Sequence, residues 1–217
     1  MQPFWRRPAT ATTCYVMMLS LSLRSRPQPS SFSAAPSGLD PGDGFDRAAA
    51  LTEQAIAADS APLEAQLTLA DIFLNRASWE SKTCADPRPT VDRAVAAYEE
   101  VLRADRRNVA AADNIGQALL LRGRYENSQG LDATASLDRA LTALQAAATI
   151  DPTMNVLFNT LARIADTRAE EQQRRGVDSR PGLLAVIQFI TELPDNDAPA
   201  SRRAALEKLQ ARLAGRP

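Results

Sequence analysis

Four aspartates, Asp40, Asp86, Asp132 and Asp178, stand 46 residues apart, each inside a short turn-forming string: GLDP, CADP, GLDA and GVDS. Carboxylates repeated at a fixed interval could form a metal-binding or phosphate-responsive array. Calcium, however, needs several oxygens converging on one point. Equivalent positions of successive structural units are instead displaced by roughly 10 Å, the distance at which neighbouring helices pack. Turn chemistry accounts for the strings better. Glycine at a helix end adopts the left-handed conformation, and the aspartate after it accepts backbone hydrogen bonds. The period therefore marks the seam of a repeated unit. Cys84 fills a slot that is glycine in the other three strings, and it reads as drift at that slot and not as a nucleophile.

The rest of the inventory points away from catalysis. The chain has no histidine, which removes the commonest general base and the commonest metal ligand. Two cysteines, Cys14 and Cys84, cannot make a four-ligand zinc site, and both read as free thiols. The expectation is a non-enzyme with no cofactor and no metal. Basic residues are almost all arginine, only Lys82 and Lys208 being lysine, which reflects base composition and not function. Net charge is −1, with four arginines and no acid before Gly38, so that 21 basic residues face 26 acidic ones in the remainder. A nucleic-acid partner would need a basic face, and none is suggested.

Residues 1–38 divide into a basic start, an apolar run at 15–23 and a Pro/Ser-rich stretch. The run is too short for a membrane span, which takes about 20 residues. Two readings fit: a disordered leader without a fold of its own, or an export signal cleaved near Ser33–Ala35. Arg24 and Arg26 lie between the apolar run and that cleavage point, where export signals are uncharged, and they favour the leader. The corresponding localisation is cytoplasmic, with export as the alternative if residues 1–35 act as a signal.

Those aspartates must be positioned by elements, and sliding the chain by 46 shows which. Asp46, Asp92 and Asp138 coincide, as do Arg47, Arg93 and Arg139, then Asp59, Asp105 and Asp151, then Arg76, Arg122 and Arg168. Apolar character is kept at Leu69, Ile115 and Leu161, and at Val95, Leu141 and Ile187. Helical spacing of apolar residues, as in Ala94, Val95, Tyr98, Val101 and Leu102, makes each unit a pair of helices. First helices are expected at 63–82, 109–129 and 155–175, and second helices at 44–58, 90–104, 136–150 and 182–193. Thr90 and Ser136 are placed as N-caps, with Asp92 and Asp138 in the first turn. Pro152 marks where a second helix stops. A last amphipathic stretch at 199–214 reads as a capping helix with a polar outer face.

These residues resemble the tetratricopeptide repeat, whose unit of about 34 residues is a helix–turn–helix. Ala112, Ile115, Gly116 and Leu119 fall on its first-helix register, as do Phe158, Leu161, Ala162 and Ala165 one unit later. Ala94, Tyr98 and Val101, then Ala140, Leu144 and Ala147, fall on the second-helix register, and Pro152 on the closing proline. The register holds if about 12 residues are inserted between the paired helices, as a lengthened first helix followed by the Gly-x-Asp turn. An aromatic–Glu pair ahead of that turn, Trp79–Glu80 and Tyr125–Glu126, is similar to the long repeats C-terminal to the catalytic domain in some bacterial serine/threonine protein kinases. No kinase catalytic element accompanies it.

The resemblance covers residues 39–197 and implies an all-α fold: a right-handed solenoid of helical hairpins, closed by a capping segment at 198–217. It also implies a function, a non-catalytic scaffold that binds a protein segment in a concave groove lined by first helices. Alternatives are a detached regulatory region of a serine/threonine kinase, or an exported envelope repeat protein. Carried over by register, the groove-facing positions are Asp71, Asn75, Asp113, Asn114, Gln117, Asn159, Arg163 and Asp166. With one arginine among several acids, the resemblance implies a neutral or basic partner segment and not a terminal carboxylate. For each residue the competing reading is a solvated helix face.

Overall fold

In the computed structural model, the described residues are 41–58, 63–194 and 198–215. They form eight helices and no strand: α1 (Pro41–Ala58), α2 (Leu63–Lys82), α3 (Arg88–Ala104), α4 (Val109–Ser128), α5 (Thr134–Ile150), α6 (Asn155–Arg174), α7 (Arg180–Glu192) and α8 (Ala200–Leu213). The expected leader at 1–38 and Asp40 lie outside the described residues.

The 46-residue period is visible in how helices end. After α2, α4 and α6 the chain makes the same turn, with the Ala85 amide donating to the Glu80 carbonyl, Leu131 to Glu126 and Val177 to Gln172, at 2.8–2.9 Å. This wrap needs a left-handed residue one place earlier. Gly130 and Gly176 supply it at φ 70° and 73°, and Cys84 adopts the same conformation at φ 61° without being glycine. The turn demands that conformation whatever residue occupies the slot. Cys84 is disulfide-bonded, which corrects the expectation of a free thiol. The only other cysteine, Cys14, lies outside the described residues.

The aspartates of the turn then start the next helix. Asp86 accepts from the Arg88 amide at 3.0 Å, Asp132 from Thr134 at 2.9 Å and Asp178 from Arg180 at 3.0 Å. Each carboxylate satisfies an amide that has no partner within its helix. Helices α3 and α5 consequently begin two residues before Thr90 and Ser136, so neither is an N-cap. Both are buried instead, and Ser136 donates to Glu126 at 2.7 Å. Nor do Asp92 and Asp138 serve a first turn. They pair with Arg122 and Arg168 of the following helix, as Asp46 pairs with Arg76, each 30 residues on. The same arginines reach Glu80 and Glu126 at 2.9 Å one turn along their own helices.

The residues expected as an insert between paired helices do not form a long loop. Only residues 129–133 separate α4 from α5, and the first helices are 20 residues long. The extra length is absorbed as helix.

Packing follows chain order. Each helix lies against its neighbour in sequence, and α2 also packs on α4, α4 on α6, and α6 on α8. The interiors repeat in register: Val91, Leu137 and Leu183 are buried, as are Tyr98, Leu144 and Ile190, and Ala77 and Ala169 on the facing helices. In α4 Gly123 takes the place of these alanines, and Gly116 that of Ala70 and Ala162. A Cβ on Gly116 would stand 2.7 Å from Leu144 Cγ, and one on Gly123 2.6 Å from a Leu137 methyl. At α8, Ala205 and Leu209 are buried. Arg202 reaches back to the carbonyls of Ile190, Leu193 and Pro194 at 2.6–3.0 Å, satisfying acceptors that the end of α7 leaves open.

Candidate functional site

The turn aspartates occupy no common site. Asp86 is engaged by Arg88, and Asp132 by Thr134 and Arg175. Hydrogen bonds from Arg88 hold the Asp86 carboxyl below the usual range, and those from Thr134 and Arg175 do the same for Asp132. Asp86 is committed to its own turn, and Asp132 to its own turn and to Arg175 at the end of α6.

The eight expected groove residues separate into two sets. The acids are all engaged internally. Asp71 on α2 accepts from the Tyr98 hydroxyl of α3 and from Asn114 of α4 at 3.2 Å. Burial first, and then that contact with Asp71, push the Tyr98 hydroxyl well above its ordinary pKa. Asp113 is buried to 3% exposure. Its Oδ2 accepts from Gln117 at 2.8 Å while its Oδ1 has no hydrogen-bond partner. The nearby Thr160 hydroxyl donates instead to the Val156 carbonyl of its own helix. Burial pushes the Asp113 carboxyl up. Asp166 pairs with Lys208 and Arg212 of α8, both at 3.2 Å. It belongs to the junction between α6 and α8.

The second set faces a shared space. Asn75, Gln117 and Arg163, one each from α2, α4 and α6, line a cleft of about 220 Å³ with Leu74, Ser78, Leu120, Leu121 and Arg124. Asn75, Arg163 and Arg124 are exposed. Asn159 is also exposed, on α6 one turn before Arg163, and is not part of this lining. Asn114 is held by Asp71 and accepts from Gln117 at 3.3 Å. The structure thus brings three of the eight together and assigns four others to internal contacts.

Sequence reasoning missed Arg124 and Ser78. The signal was available, because Ser78 and Arg124 lie seven residues after Asp71 and Gln117, two helical turns along the same face. The floor residues Leu74, Leu120 and Leu121 had none, since their apolar character reads equally as core.

Among the described residues Arg124 and Arg163 form no ion pair within 4.0 Å. The Arg124 guanidinium is held below its usual pKa, first by partial burial and then by the like charge of Arg163, with Glu170 and Asp166 acting in the other direction. The arrangement offers two cationic forks, neutral amide and hydroxyl groups and an apolar floor. No group of three or more His, Cys, Asp and Glu residues able to hold a metal ion occurs among the described residues.

Comparison with known proteins finds no matching family model and no matching curated protein. Among the described residues no helix is long and apolar enough to cross a membrane.

Proposed function

We propose that this protein is a non-catalytic interaction scaffold of the tetratricopeptide type, a solenoid of long helical hairpins that receives a segment of a partner protein along its row of first helices. The observation that carries this reading is the packing order. α2, α4, α6 and α8 pack in succession on one another as well as on their sequence neighbours, the pattern expected of a repeat array. Exact 46-residue recurrence of the turn, the capping aspartate and the Arg–Asp bridge supports the same reading. So does the cleft, where polar side chains of α2, α4 and α6 converge over leucines, the usual mixture of a binding surface.

Plugging the cleft tests the proposal. Asn75 lines the cleft, is exposed and makes no hydrogen bond among the described residues, so Asn75→Trp should fold normally while filling the space a segment would use. In affinity capture with the full chain, the proteins retained should fall at least about tenfold in yield with the plugged variant, the loss expected when central contacts of an interface are blocked. An unchanged set of captured proteins would remove the groove assignment.

A further inference from the structure

Of the six arginines on α2, α4 and α6, four are paired. Arg76 is paired with Asp46 and Glu80, Arg122 with Asp92 and Glu126, Arg168 with Asp138, and Arg174 with Glu171. Arg124 and Arg163 are the contrast, and both line a cleft that α2, α4 and α6 share. Glu170, which acts on Arg124, forms no ion pair within 4.0 Å among the described residues, but the other carboxylates that by position could have neutralised the two arginines are engaged elsewhere. Asp71 serves Tyr98 and Asn114, and Asp166 serves Lys208 and Arg212. Asp113 acts on Arg163 only at longer range and from a buried position. Counting the acids by sequence position suggests a basic ligand; counting those still unengaged reverses the sign.

We propose that this cleft takes an acidic partner segment, with a glutamate or aspartate carboxylate held between the Arg124 and Arg163 guanidiniums and a neighbouring apolar side chain over Leu74, Leu120 and Leu121. This rests on the scaffold reading and names the partner's chemistry. Two like charges near one another in a partly dry cleft repel, and an anion between them removes that cost while gaining charge-assisted hydrogen bonds. Carboxylate fits better than phosphate. Glu170 already acts on Arg124, and a phosphate would set a charge of about −1.5 to −2 beside it. Asn75, Ser78 and Gln117 add neutral polar groups that suit the backbone of an extended chain.

The test uses the full chain and three rhodamine-labelled peptides, acetylated and amidated so that no terminal charge contributes. They share one leucine spacing and differ in carrying glutamate, lysine or phosphoserine between the leucines. Fluorescence anisotropy should show saturable binding of the glutamate peptide and at least about tenfold weaker binding of the lysine peptide. The pair Arg124→Gln and Arg163→Gln should weaken the glutamate peptide at least about tenfold, whereas Arg47→Gln with Arg139→Gln should not. Affinity should fall with salt, as for any exposed charge pair. In the unaltered protein, the guanidinium Nε–H resonances of Arg124 and Arg163 should shift on titration, a readout independent of how the variants fold. Equal binding of the glutamate and lysine peptides, or insensitivity to the Arg124 and Arg163 pair, would overturn the proposal. So would phosphoserine binding more tightly than glutamate. If the charge effects fail while Asn75→Trp still abolishes capture, only the acidic partner is refuted; if both fail, the groove itself is.

Discussion

Asp113 was expected in the groove, and its burial gives it a thermodynamic signature of its own. Its carboxyl is raised above the 3.8 of an ordinary aspartate, chiefly by burial, with Gln117 and Arg163 offsetting part of the shift. The folded state therefore holds this proton over a pH range in which the unfolded chain has released it. Its contribution to stability is greatest below the unfolded value and declines as pH rises towards the folded one. Asp113→Asn should make the protein more stable at neutral pH by about 1 kcal/mol, the scale of relieving an unsatisfied buried polar atom. The gain should vanish at about pH 3, where both forms are neutral. Thermal unfolding across that range checks it, and a difference that does not change with pH would count against it. Asp86 and Asp132 have the opposite sign. Their lowered pKa values give stability that is present above the unfolded value and lost as pH falls through the folded one.

At the scale of elements, the sharpest constraint is the distance between α4 and α5. Gly116 and Leu144 are separated by less than a side chain's thickness, since a Cβ would approach Leu144 Cγ to 2.7 Å. Gly116→Val should therefore cost about 1–3 kcal/mol, as overpacking does. Leu144→Ala costs stability alone through the cavity it leaves. Combined with Gly116→Val, however, the total should be less than the sum of the two single changes, because each relieves the other. Urea unfolding of the four proteins in this cycle measures the coupling, and strict additivity would mean that the helices separate freely. The helices themselves were legible in the sequence. Boundaries expected at 63–82, 109–129 and 155–175 stand within one residue of α2, α4 and α6, because apolar periodicity and glycine both mark the ends of first helices. Starts of α3 and α5 were misplaced by two residues. The sequence offers Thr90 and Ser136 as good caps, but the turn aspartates already supply an acceptor to the first amide, so the helix begins sooner.

At the scale of the whole molecule, α8 covers the last first-helix, α6, and completes the end of α7. It buries Ala205 and Leu209, pairs Lys208 and Arg212 with Asp166, and places Arg202 on the α7 carbonyls. Removing residues 198–217 should cost about 2–4 kcal/mol, the scale of exposing one or two buried apolar side chains. Without a polar outer face the shortened array should also associate. Thermal unfolding and light scattering of the truncated protein read both effects. Unchanged stability and a monodisperse truncated chain would show that α8 is an accessory.

The sequence by itself determined the period, the pairing of helices and the left-handed turn, because each depends on contacts within a few residues of the chain. Residues such as Gly130, Asp132 and Pro152 announce local geometry wherever they fall. What only the tertiary structure decided is which charges remain. Asp71 and Asp166 look in the sequence like groove acids, and Arg124 like any exposed helix arginine. Whether a carboxylate is available depends on partners 27 to 46 residues away, Tyr98 and Asn114 for one and Lys208 and Arg212 for the other. Electrostatic pairing follows distance in space, which helical periodicity along one element does not encode. The all-helical architecture was therefore readable from the repeat, while the charge of the site emerged once the helices were packed.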